Sequence, residues 1–481
     1  MHCVDILPEE ILKRYYHPDE KKIDELLAAE LAKLNRKIVV IDDDPTGVQT
    51  VHDVYVYTRW DVDTLLNAFN DGKSIFFILS NSRGLTADES RKMHTEIAEN
   101  ISTAAKKAGM DYIIISRSDS TLRGHYPLEP HVLRTQLEKL DGKHFDGEII
   151  YPFFKEGGRF TIDGVHYVKE GKNLVPAGLT EFAKDKSFGY CASYLPDWCE
   201  EKSGGEYKAA DVTRINIGDL RSMNIEKITA QLLTQKNFNK VVVDSIDYCD
   251  VKVFTIAFIR AVTQGKEFMF RSAAAITKVL GGIDDKALLN RTDLVSTDTT
   301  NGGLIVVGSH VNKTTQQLEE LKKCTMPITF VQFDQHRVLE ENGLEDEVAR
   351  VTALAEKALL EGKTVAVYTR RDRIDFVNGS KDDQLSMATK ISDAVTSIVT
   401  NLKEKPAFII AKGGITSNDI GTKALRVRKA LVKGQVRPGI PVWLTDAESK
   451  FANMPYIIFP GNVGAVDDLR VIVENLMSQG E

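Results

Sequence analysis

The sequence predicts an α/β fold with two α/β domains, largely parallel sheets and a cleft between the domains. The chain has 481 residues, 42% hydrophobic and 27% charged, which is typical of a folded protein with two large domains. Its apolar runs (KIVVI, SIFFIL, DYIIIS, GLIVVG, AFIIA) are short and rich in Ile, Val and Phe. Long helix-like stretches separate them, as expected for parallel strands buried on both faces.

The first 36 residues predict a helical extension, with one or two amphipathic helices broken near Pro18, placed at the surface or in an oligomer contact. A first domain is expected over 37–285. In order along the chain we expect strand KIVVI, strand DVYVYT, a helix near 61–71, strand SIFFILS, a helix over 87–108, strand DYIIIS, a helix over 128–140, strand GEIIY, a loop PFFKEGGRFTIDG, strand KVVVDS and a helix near 271–280.

A polar, turn-rich stretch over 281–303 marks the boundary, and a second domain is expected over 300–481. There the alternation resumes with strand GLIVVGS, helix 313–323, strand PITFV, helix 343–361, strand TVAVYT, helix 383–402, strand AFIIA, helix 417–426, strands PVW and YIIF, and helix 466–477.

Charge and cysteine content exclude several classes of function. The chain has 62 Lys plus Arg against 69 Asp plus Glu and no dense basic run, which disfavours nucleic acid and anionic membranes as partners. Five scattered cysteines without a CxxC motif encode neither a disulfide framework nor a cysteine zinc site. With no signal-like start and no apolar run near the roughly 20 residues that span a bilayer, we expect a cytoplasmic protein.

The loop after the first strand, Asp42 to Gly47, places three carboxylates at a strand end. Like charges together need a compensating cation, donor or substrate hydroxyl. Such a loop suits proton removal from a sugar hydroxyl or a share in holding Mg²⁺. The alternative is an exposed turn that caps the next element.

A second polar loop, Arg117 to His125, offers two guanidinium groups, three hydroxyls and one carboxylate. Guanidinium groups suit a carboxylate or phosphate and hydroxyls suit a polyol, so a small hydroxylated acid is a natural ligand. The alternative is a loop with solvated arginines ahead of a helix. Two weaker loops repeat the pattern and contribute Arg83 and Arg159.

Three glycine-bearing junctions in the second domain predict a phosphate or nucleotide site made of backbone amides. The first has the glycine spacing of a Walker loop but lacks its Lys-Ser/Thr, so an ordinary P-loop is rejected. Singly, each junction is also consistent with a tight turn. The junctions comprise Gly308 and Ser309; Gly413, Gly414, Ile415, Thr416 and Ser417; and Gly461, Asn462, Val463 and Gly464.

Other catalytic signatures are missing from the sequence. It contains no GxSxG, no HExxH and no GxGxxG after its first strand, so serine hydrolases, zinc proteases and dinucleotide-dependent dehydrogenases rank low.

Seven motifs in order, IDDDPTGVQTV, NSRG, SDSTLRGH, YPFFKEGGRFTIDGVHYV, VVGSHVNKTTQQL, KGGITSND and FPGNVGAVDDL, resemble the four-carbon acid sugar kinase family over about residues 37–475. The resemblance implies a sugar-acid-binding first domain, a nucleotide-binding second domain, and ATP-dependent phosphorylation of a hydroxyl on a short aldonic acid. Its loops fall on Asp43, Asp44, Thr46 and Gly47, on Asp119 to Gly124, and on the three glycine junctions.

The chain departs from the family pattern in two loops. Many relatives carry Lys-Ser-Gly-Asn/Gly-Phe-Gly in the last loop, where this chain reads Phe459-Pro460-Gly461-Asn462-Val463-Gly464. The first loop also has an extra Asp and a Pro. The departures indicate a branch whose last loop lacks the lysine and whose substrate differs from threonate or erythronate.

These observations lead to a mechanistic hypothesis. Arg123, helped by Arg83 or Arg159, holds the acid's carboxylate, and Asp43, Asp44 and Ser120 hold its hydroxyls. Asp119, or alternatively Asp43, accepts the hydroxyl proton while Mg²⁺ bridges the ATP phosphates and closure of the cleft excludes water. Two alternatives stay open: a magnesium-dependent sugar-acid lyase or isomerase, and a non-catalytic sugar-acid-binding protein on the same scaffold.

Overall fold

The computed structural model describes residues 4–296, 298–372, 374 and 381–478, without the side chains of 381–385. The chain divides into two compact units, Met1–Asp285 and Lys286–Glu481. Each unit has a mostly parallel sheet with helices, which confirms the α/β class with two domains.

The first unit begins with a short strand, a 3₁₀ helix over Glu9–Arg14 and a helix, and continues as alternating strands and helices. Its strands are β1 (Leu7–Pro8), β2 (Lys37–Asp42), β3 (Val54–Tyr57), β4 (Ile75–Leu79), β5 (Tyr112–Arg117), β6 (Gly147–Tyr151), β7 (Arg159–Ile162), β8 (Val165–Glu170), β9 (Asn173–Pro176), β10 (Thr213–Ile215), β11 (Asn239–Val243) and β12 (Phe268–Ser272). Its helices are α1 (Glu20–Leu31), α2 (Val62–Phe69), α3 (Ala87–Ala108), α4 (Leu128–Asp141), α5 (Leu195–Lys202), α6 (Ile217–Arg221), α7 (Ile225–Leu233), α8 (Tyr248–Thr263) and α9 (Ala275–Leu280).

Most strands of the first unit form one parallel sheet in the order β10-β11-β6-β12-β5-β2-β4-β3. β2, β4 and β5 are buried along their whole length, as strands with helices on both faces must be. Along the chain, β3 and β4 lie on one side of β2 in the sheet and β5 lies on its other side. The direction of winding therefore reverses at β2. In such sheets the crevice at the carboxyl ends of the strands, at this reversal, is where ligands bind.

The second unit repeats the alternation and adds antiparallel strands at one side. Its strands are β13 (Leu304–Val307), β14 (Ile328–Phe333), β15 (Thr364–Thr369), β16 (Ile409–Lys412), β17 (Lys429–Arg437), β18 (Ile440–Thr445) and β19 (Pro455–Phe459). Its helices are α10 (Arg291–Leu294), α11 (Asn312–Leu321), α12 (Gly343–Leu360), α13 (Lys381–Asn401), α14 (Gly414–Asp419), which passes into a π-helix over Ile420–Ala424, and α15 (Asp468–Met477).

The strand order in the second unit is β17-β18-β19-β16-β13-β15-β14; β18 is antiparallel to both of its neighbours, β17 and β19, and the other neighbouring pairs are parallel. Its core packs Ile305, Ile410 and Ile457 from adjacent strands against helix residues such as Leu318 and Leu469. Here the winding reverses between β13 and β16.

The structure corrects several expectations about elements. The segment expected as a loop around Arg159 is a β-hairpin, β7 with β8, in a separate small antiparallel sheet. Residues 271 and 272 end strand β12 and are not helical, α14 begins at Gly414 and not at residue 417, and strand β17 was not expected. The strands were missed because their sequences mix polar or small residues into a short apolar run, which weakens the periodicity. The start of α14 was misplaced because glycine is a poor helix former.

No helix in the described ranges is long and apolar enough to cross a membrane.

Candidate functional site

The loop that follows β2 is held by an arginine from the turn after β4. Nη2 of Arg83 lies 2.6 Å from Oδ1 of Asp43, and Nη1 lies 3.2 Å from Oδ2 of Asp44. Ser118 donates a hydrogen bond of 2.5 Å to the second oxygen of Asp43. Arg83, expected to help bind an acid, is therefore engaged by the loop carboxylates, and both oxygens of Asp43 are occupied.

Ser118 is fixed by a buried network that sequence reasoning missed. Arg271, near the end of β12, donates to the Ser118 hydroxyl at 2.8 Å and to Glu129 at 2.7 Å. The sequence did contain a signal for Arg271. The segment FMFRS is a short apolar run that ends in Arg271 and Ser272, just as β5 ends in Ser116 and Arg117. Because β5 and β12 are neighbours in register, their polar ends meet at one edge of the sheet.

Asp119 differs from Asp43 in having an available oxygen. Its Oδ2 accepts 2.6 Å from Nε of Arg123 and also bonds Thr121, whereas Oδ1 accepts no hydrogen bond within the described part of the chain. The side chain is 13% exposed, against 2% for Asp43. Burial raises the pKa of Asp119, but the guanidinium groups of Arg123 and Arg83 outweigh it and hold that pKa below its ordinary value.

Two guanidinium groups approach one aromatic ring beside Asp119. The groups of Arg123 and Arg159 lie 5.0 and 5.8 Å from the centroid of Phe182. Arg159 is half-buried, and its Nε is buried with no hydrogen-bond partner in the ranges described. Burial lowers the pKa of Arg159, Asp119 opposes this shift, and Arg123 adds to it. A half-buried cation that forms no ion pair with a described carboxylate is a candidate binder for an anionic ligand.

Ser120 and Asp42 complete the predicted residues of this edge. Ser120 is buried, and His166 bonds its backbone carbonyl at 2.8 Å, which fixes the loop.

Burial raises the pKa of Asp42 to about 7 although Arg117 lies 3.1 Å away. Among the described side chains, no group of three or more His, Cys, Asp or Glu is arranged to hold a metal ion.

In the second unit the three glycine junctions meet around one serine. A Cβ built on Gly413 would lie 2.9 Å from Cβ of Ser309, and one on Gly461 would lie 3.1 Å from its Oγ. A Cβ on Gly308 would lie 2.3 Å from Oγ1 of Thr416. β13, β16 and β19 are adjacent, so their carboxyl ends bring the junctions together. A side chain at Gly308 or Gly413 would therefore collide with Thr416 or Ser309, and Gly413 also has φ +126°.

A cavity of about 410 Å³ opens at this meeting point. Its lining combines residues of two junctions with residues of α13, both apolar and polar. The junction residues are Gly308, Ser309, Gly413, Gly414, Ile415 and Thr416; the α13 residues include Met387, Ile391, Ser392, Val395 and Thr396, and Ile374 also lines the cavity. Ser417 lies behind this wall, with its hydroxyl bonded to backbone carbonyls.

The last loop, Phe459 to Gly464, is outside the cavity lining but adjoins it at Ser309. Thr314 donates to the carbonyl of Gly461 at 3.1 Å, and Gln317 donates to that of Val463 at 3.2 Å. The backbone N–H groups of Gly461 and Asn462 make no hydrogen bond to any described residue. The loop therefore presents unpaired donors beside Ser309.

Two cations near the cavity were also missed by sequence reasoning. Nη2 of Arg371 donates to the carbonyl of Ser309 at 2.7 Å, and its Nη1 is buried without a partner among described residues. Lys412, fully buried at the end of β16, donates to the carbonyls of Pro460 and Gly461. A lysine closing an otherwise apolar strand directly before two glycines was the available signal.

Family models match both units. A model of a sugar-binding N-terminal domain matches residues 38–280, and a model of a nucleotide-binding C-terminal domain matches residues 304–469. Comparison with curated proteins finds no significant match.

Solved structures with the same fold cover nearly the whole chain. A Salmonella typhimurium LT2 protein, proposed to be a tRNA synthase, is 17% identical with a TM-score of 0.64, over 91% of this chain and 98% of its own. A Haemophilus influenzae protein of the DUF1537 family is 16% identical with a TM-score of 0.58, over 92% of this chain and 100% of its own. At this level of identity the likeness establishes the fold alone.

Proposed function

Since the chain belongs to the four-carbon acid sugar kinase family, we propose that it is an ATP-dependent kinase, a phosphotransferase that phosphorylates a hydroxyl group of a short sugar acid. The observation that carries the proposal is the combination of two unlike sites in one chain. One offers carboxylates and guanidinium groups, and the other offers a cavity beside a loop whose amides of Gly461 and Asn462 have no partner among the described residues. A kinase for a sugar acid needs both.

In the proposed complex the acid's carboxylate binds Arg159 and the Nη groups of Arg123. Support comes from the Nε of Arg159, which has no hydrogen-bond partner among the described residues. It also comes from Arg123, whose Nε binds Asp119 while its Nη1 lies 3.8 Å from Asp185, beyond hydrogen-bond distance. Arginine forks bind carboxylates in two-point contacts, which also fixes the orientation of the carbon chain. The hydroxyls then reach Asp119, Ser120, and the loop of Asp43 and Asp44.

ATP binds in the second unit with its base against the apolar side chains of α13 and its phosphates toward the glycine junctions. The presence of both kinds of group in one cavity lining supports this placement. Magnesium enters with ATP as part of the substrate. Backbone amides suit phosphate oxygens because they donate without bringing a mobile side chain.

Asp119 is the proposed group that orients the acceptor hydroxyl and takes its proton, at the free Oδ1. Phosphoryl transfer needs accurate in-line placement and charge neutralisation more than a strong base, so a carboxylate that stays ionised suits the task. Asp43 ranks second because both of its oxygens are engaged by Arg83 and Ser118.

The test is a coupled ADP-release assay with Mg-ATP across a panel of four- to six-carbon aldonic acids, followed by ³¹P NMR of the product. We expect one or a few acids to give stoichiometric ADP and a phosphate monoester. Folded protein that binds a sugar acid and releases no ADP with any panel member would favour a non-catalytic binding protein instead. Conversion of an acid without ATP would favour a lyase or isomerase.

A further inference from the structure

Lys412 is a buried lysine without a carboxylate partner among the described residues. It closes β16, where it pairs in register with Phe459 of β19, and none of its side chain is exposed. Its Nζ donates to the carbonyls of Pro460 and Gly461 and lies 3.9 Å from the centroid of the Phe459 ring. Burying an ammonium group is costly, so a lysine that serves only packing would be better replaced by an apolar residue.

The two carbonyl contacts fix the direction of the neighbouring amides. In a trans peptide the C=O and N–H groups point in opposite directions, and the peptides on both sides of Gly461 are trans. Since the carbonyls of Pro460 and Gly461 point at Lys412, the N–H groups of Gly461 and Asn462 point away from it. Those N–H groups have no hydrogen-bond partner in the described ranges, and Gly461 adjoins Ser309 of the cavity wall.

We propose that Lys412 is a positioning residue for the nucleotide's phosphates, which orients the amides of Gly461 and Asn462 and places a positive charge beneath them. The inference rests on the proposed nucleotide site of the second unit. The last loop, Phe459 to Gly464, contains no Lys or Arg. In this proposal Lys412, on the neighbouring strand β16, supplies the positive charge instead. Without the lysine, the carbonyl oxygen of Pro460 would be free to turn toward the phosphates and repel them, whereas Thr314 still holds the carbonyl of Gly461 at 3.1 Å.

The charges around Lys412 make the proposal sensitive to pH. Burial, with a contribution from Lys313 on α11, lowers the pKa of Lys412 to about 6, and Asp468 on α15 opposes this shift. Asp468 is itself committed elsewhere, to the N–H of Ala465 at 2.7 Å and to Arg437 at 3.3 Å. A bound phosphate supplies the missing negative charge and raises the pKa of Lys412, so binding is coupled to proton uptake. Nucleotide affinity then falls as pH rises from about 6, the pKa of Lys412 in the free protein, to the higher pKa that Lys412 has in the complex.

The test is isothermal titration calorimetry of the full chain with Mg-ADP and with adenosine, the same base without phosphates. In Lys412→Met we expect ADP affinity to fall by about 10- to 100-fold, the size of a lost charge-assisted contact, with adenosine affinity within about twofold of wild type. Lys405→Met is the matched control, because that lysine also donates to a backbone carbonyl, at 2.6 Å, but is exposed. It should bind both ligands as the wild type does.

Proton uptake gives a readout that a packing role would not produce. At pH 8 the phosphate of ADP is already ionised, so titrations in two buffers of different ionisation enthalpy report protons taken up by the protein. We expect up to about one proton per ADP in the wild type and none with adenosine. Because this measurement uses the wild type, it decides the matter even if Lys412→Met fails to fold.

Three results would contradict the inference: unchanged ADP affinity in Lys412→Met, equal weakening of ADP and adenosine, or ADP binding by the wild type without proton uptake. A wild type that binds neither ligand would instead refute the proposed nucleotide site, so the two failures are distinguishable.

Discussion

The two units wind their leading strands in the same way but build their candidate sites from different materials. In the first unit β2 to β5 stand in the order β5-β2-β4-β3, and in the second β13 to β16 stand in the order β16-β13-β15-β14. In each, polar loops collect at the carboxyl ends where the winding reverses. The shared topology fixes where a ligand binds, and the loops decide which ligand.

The first site is made of paired side chains, and the second of backbone. Asp43 with Arg83 and Asp119 with Arg123 give the first a fixed pattern of charge, suited to one arrangement of hydroxyls and a carboxylate. The second relies on glycine junctions and unpaired amides, which suit any polyphosphate of the right length. We therefore expect substrate specificity to reside in the first unit, and the following experiments test that division.

The largest effect is expected from Asp119→Asn in the first unit. Loss of the carboxylate that orients the hydroxyl and accepts its proton should lower kcat by about 10²- to 10⁴-fold while ADP affinity, a property of the second unit, stays unchanged. Steady-state kinetics and calorimetry measure the two quantities. Asp185→Asn is the control, since Asp185 also lies near Arg123, at 3.8 Å, without the short contact. Wild-type turnover in both Asp119→Asn and Asp43→Asn would show that neither carboxylate accepts the proton of the acceptor hydroxyl.

In the second unit Gly413→Ala should weaken ADP binding by about 100-fold or more, because the new Cβ meets Ser309 at 2.9 Å at φ +126°. Binding of the sugar acid should not change. Gly434→Ala is a matched control: φ is +134°, but the nearest atom to the new Cβ is 3.5 Å away, on Leu289, outside the cavity lining. It should lower stability and leave ADP affinity intact. Equal loss of ADP binding in both variants would mean that backbone strain, and not the site, explains the effect.

A smaller effect is expected from Arg159→Gln, which removes the cation that lacks a carboxylate partner in the described structure. The KM for the sugar acid should rise by about 10- to 100-fold, the cost of one charge-assisted contact, with little change in ADP affinity. Arg134→Gln is the control, because Arg134 also stacks on a phenylalanine, Phe238 at 4.6 Å, but pairs with Glu138. A KM for the acid that does not respond to Arg159→Gln would place the substrate carboxylate elsewhere.

The smallest effect concerns stability and pH. The pKa of Asp42 is about 7 in the folded chain, above its ordinary value of 3.8, so the folded state holds this proton more tightly than the unfolded state. Stability from this group is complete below about pH 4 and is lost as pH rises toward 7. Urea denaturation from pH 4 to 8 should therefore show a shallower decline in Asp42→Asn than in the wild type. Parallel curves would show that Asp42 does not titrate in this range.

The sequence predicted the regular elements better than the contacts of their loops. Helix α3 begins and ends where expected because its 3.6-residue pattern is long and Thr86 with Glu89 caps it. The motif loops were located because each follows a buried strand. The sequence did not indicate that Arg83 is neutralised by Asp43, that Arg271 fixes Ser118, or that Lys412 reaches the last loop. These contacts join residues far apart in the chain, and only the strand order brings them together.

The most direct test of the account is a crystal structure of the protein with ADP and the preferred sugar acid. We expect the ADP phosphates within hydrogen-bond distance of the N–H groups of Gly461 and Asn462, and the acid's carboxylate against Arg123 and Arg159. Density for ADP away from the junctions at Gly308, Gly413 and Gly461, or for the acid away from Asp119, would contradict it.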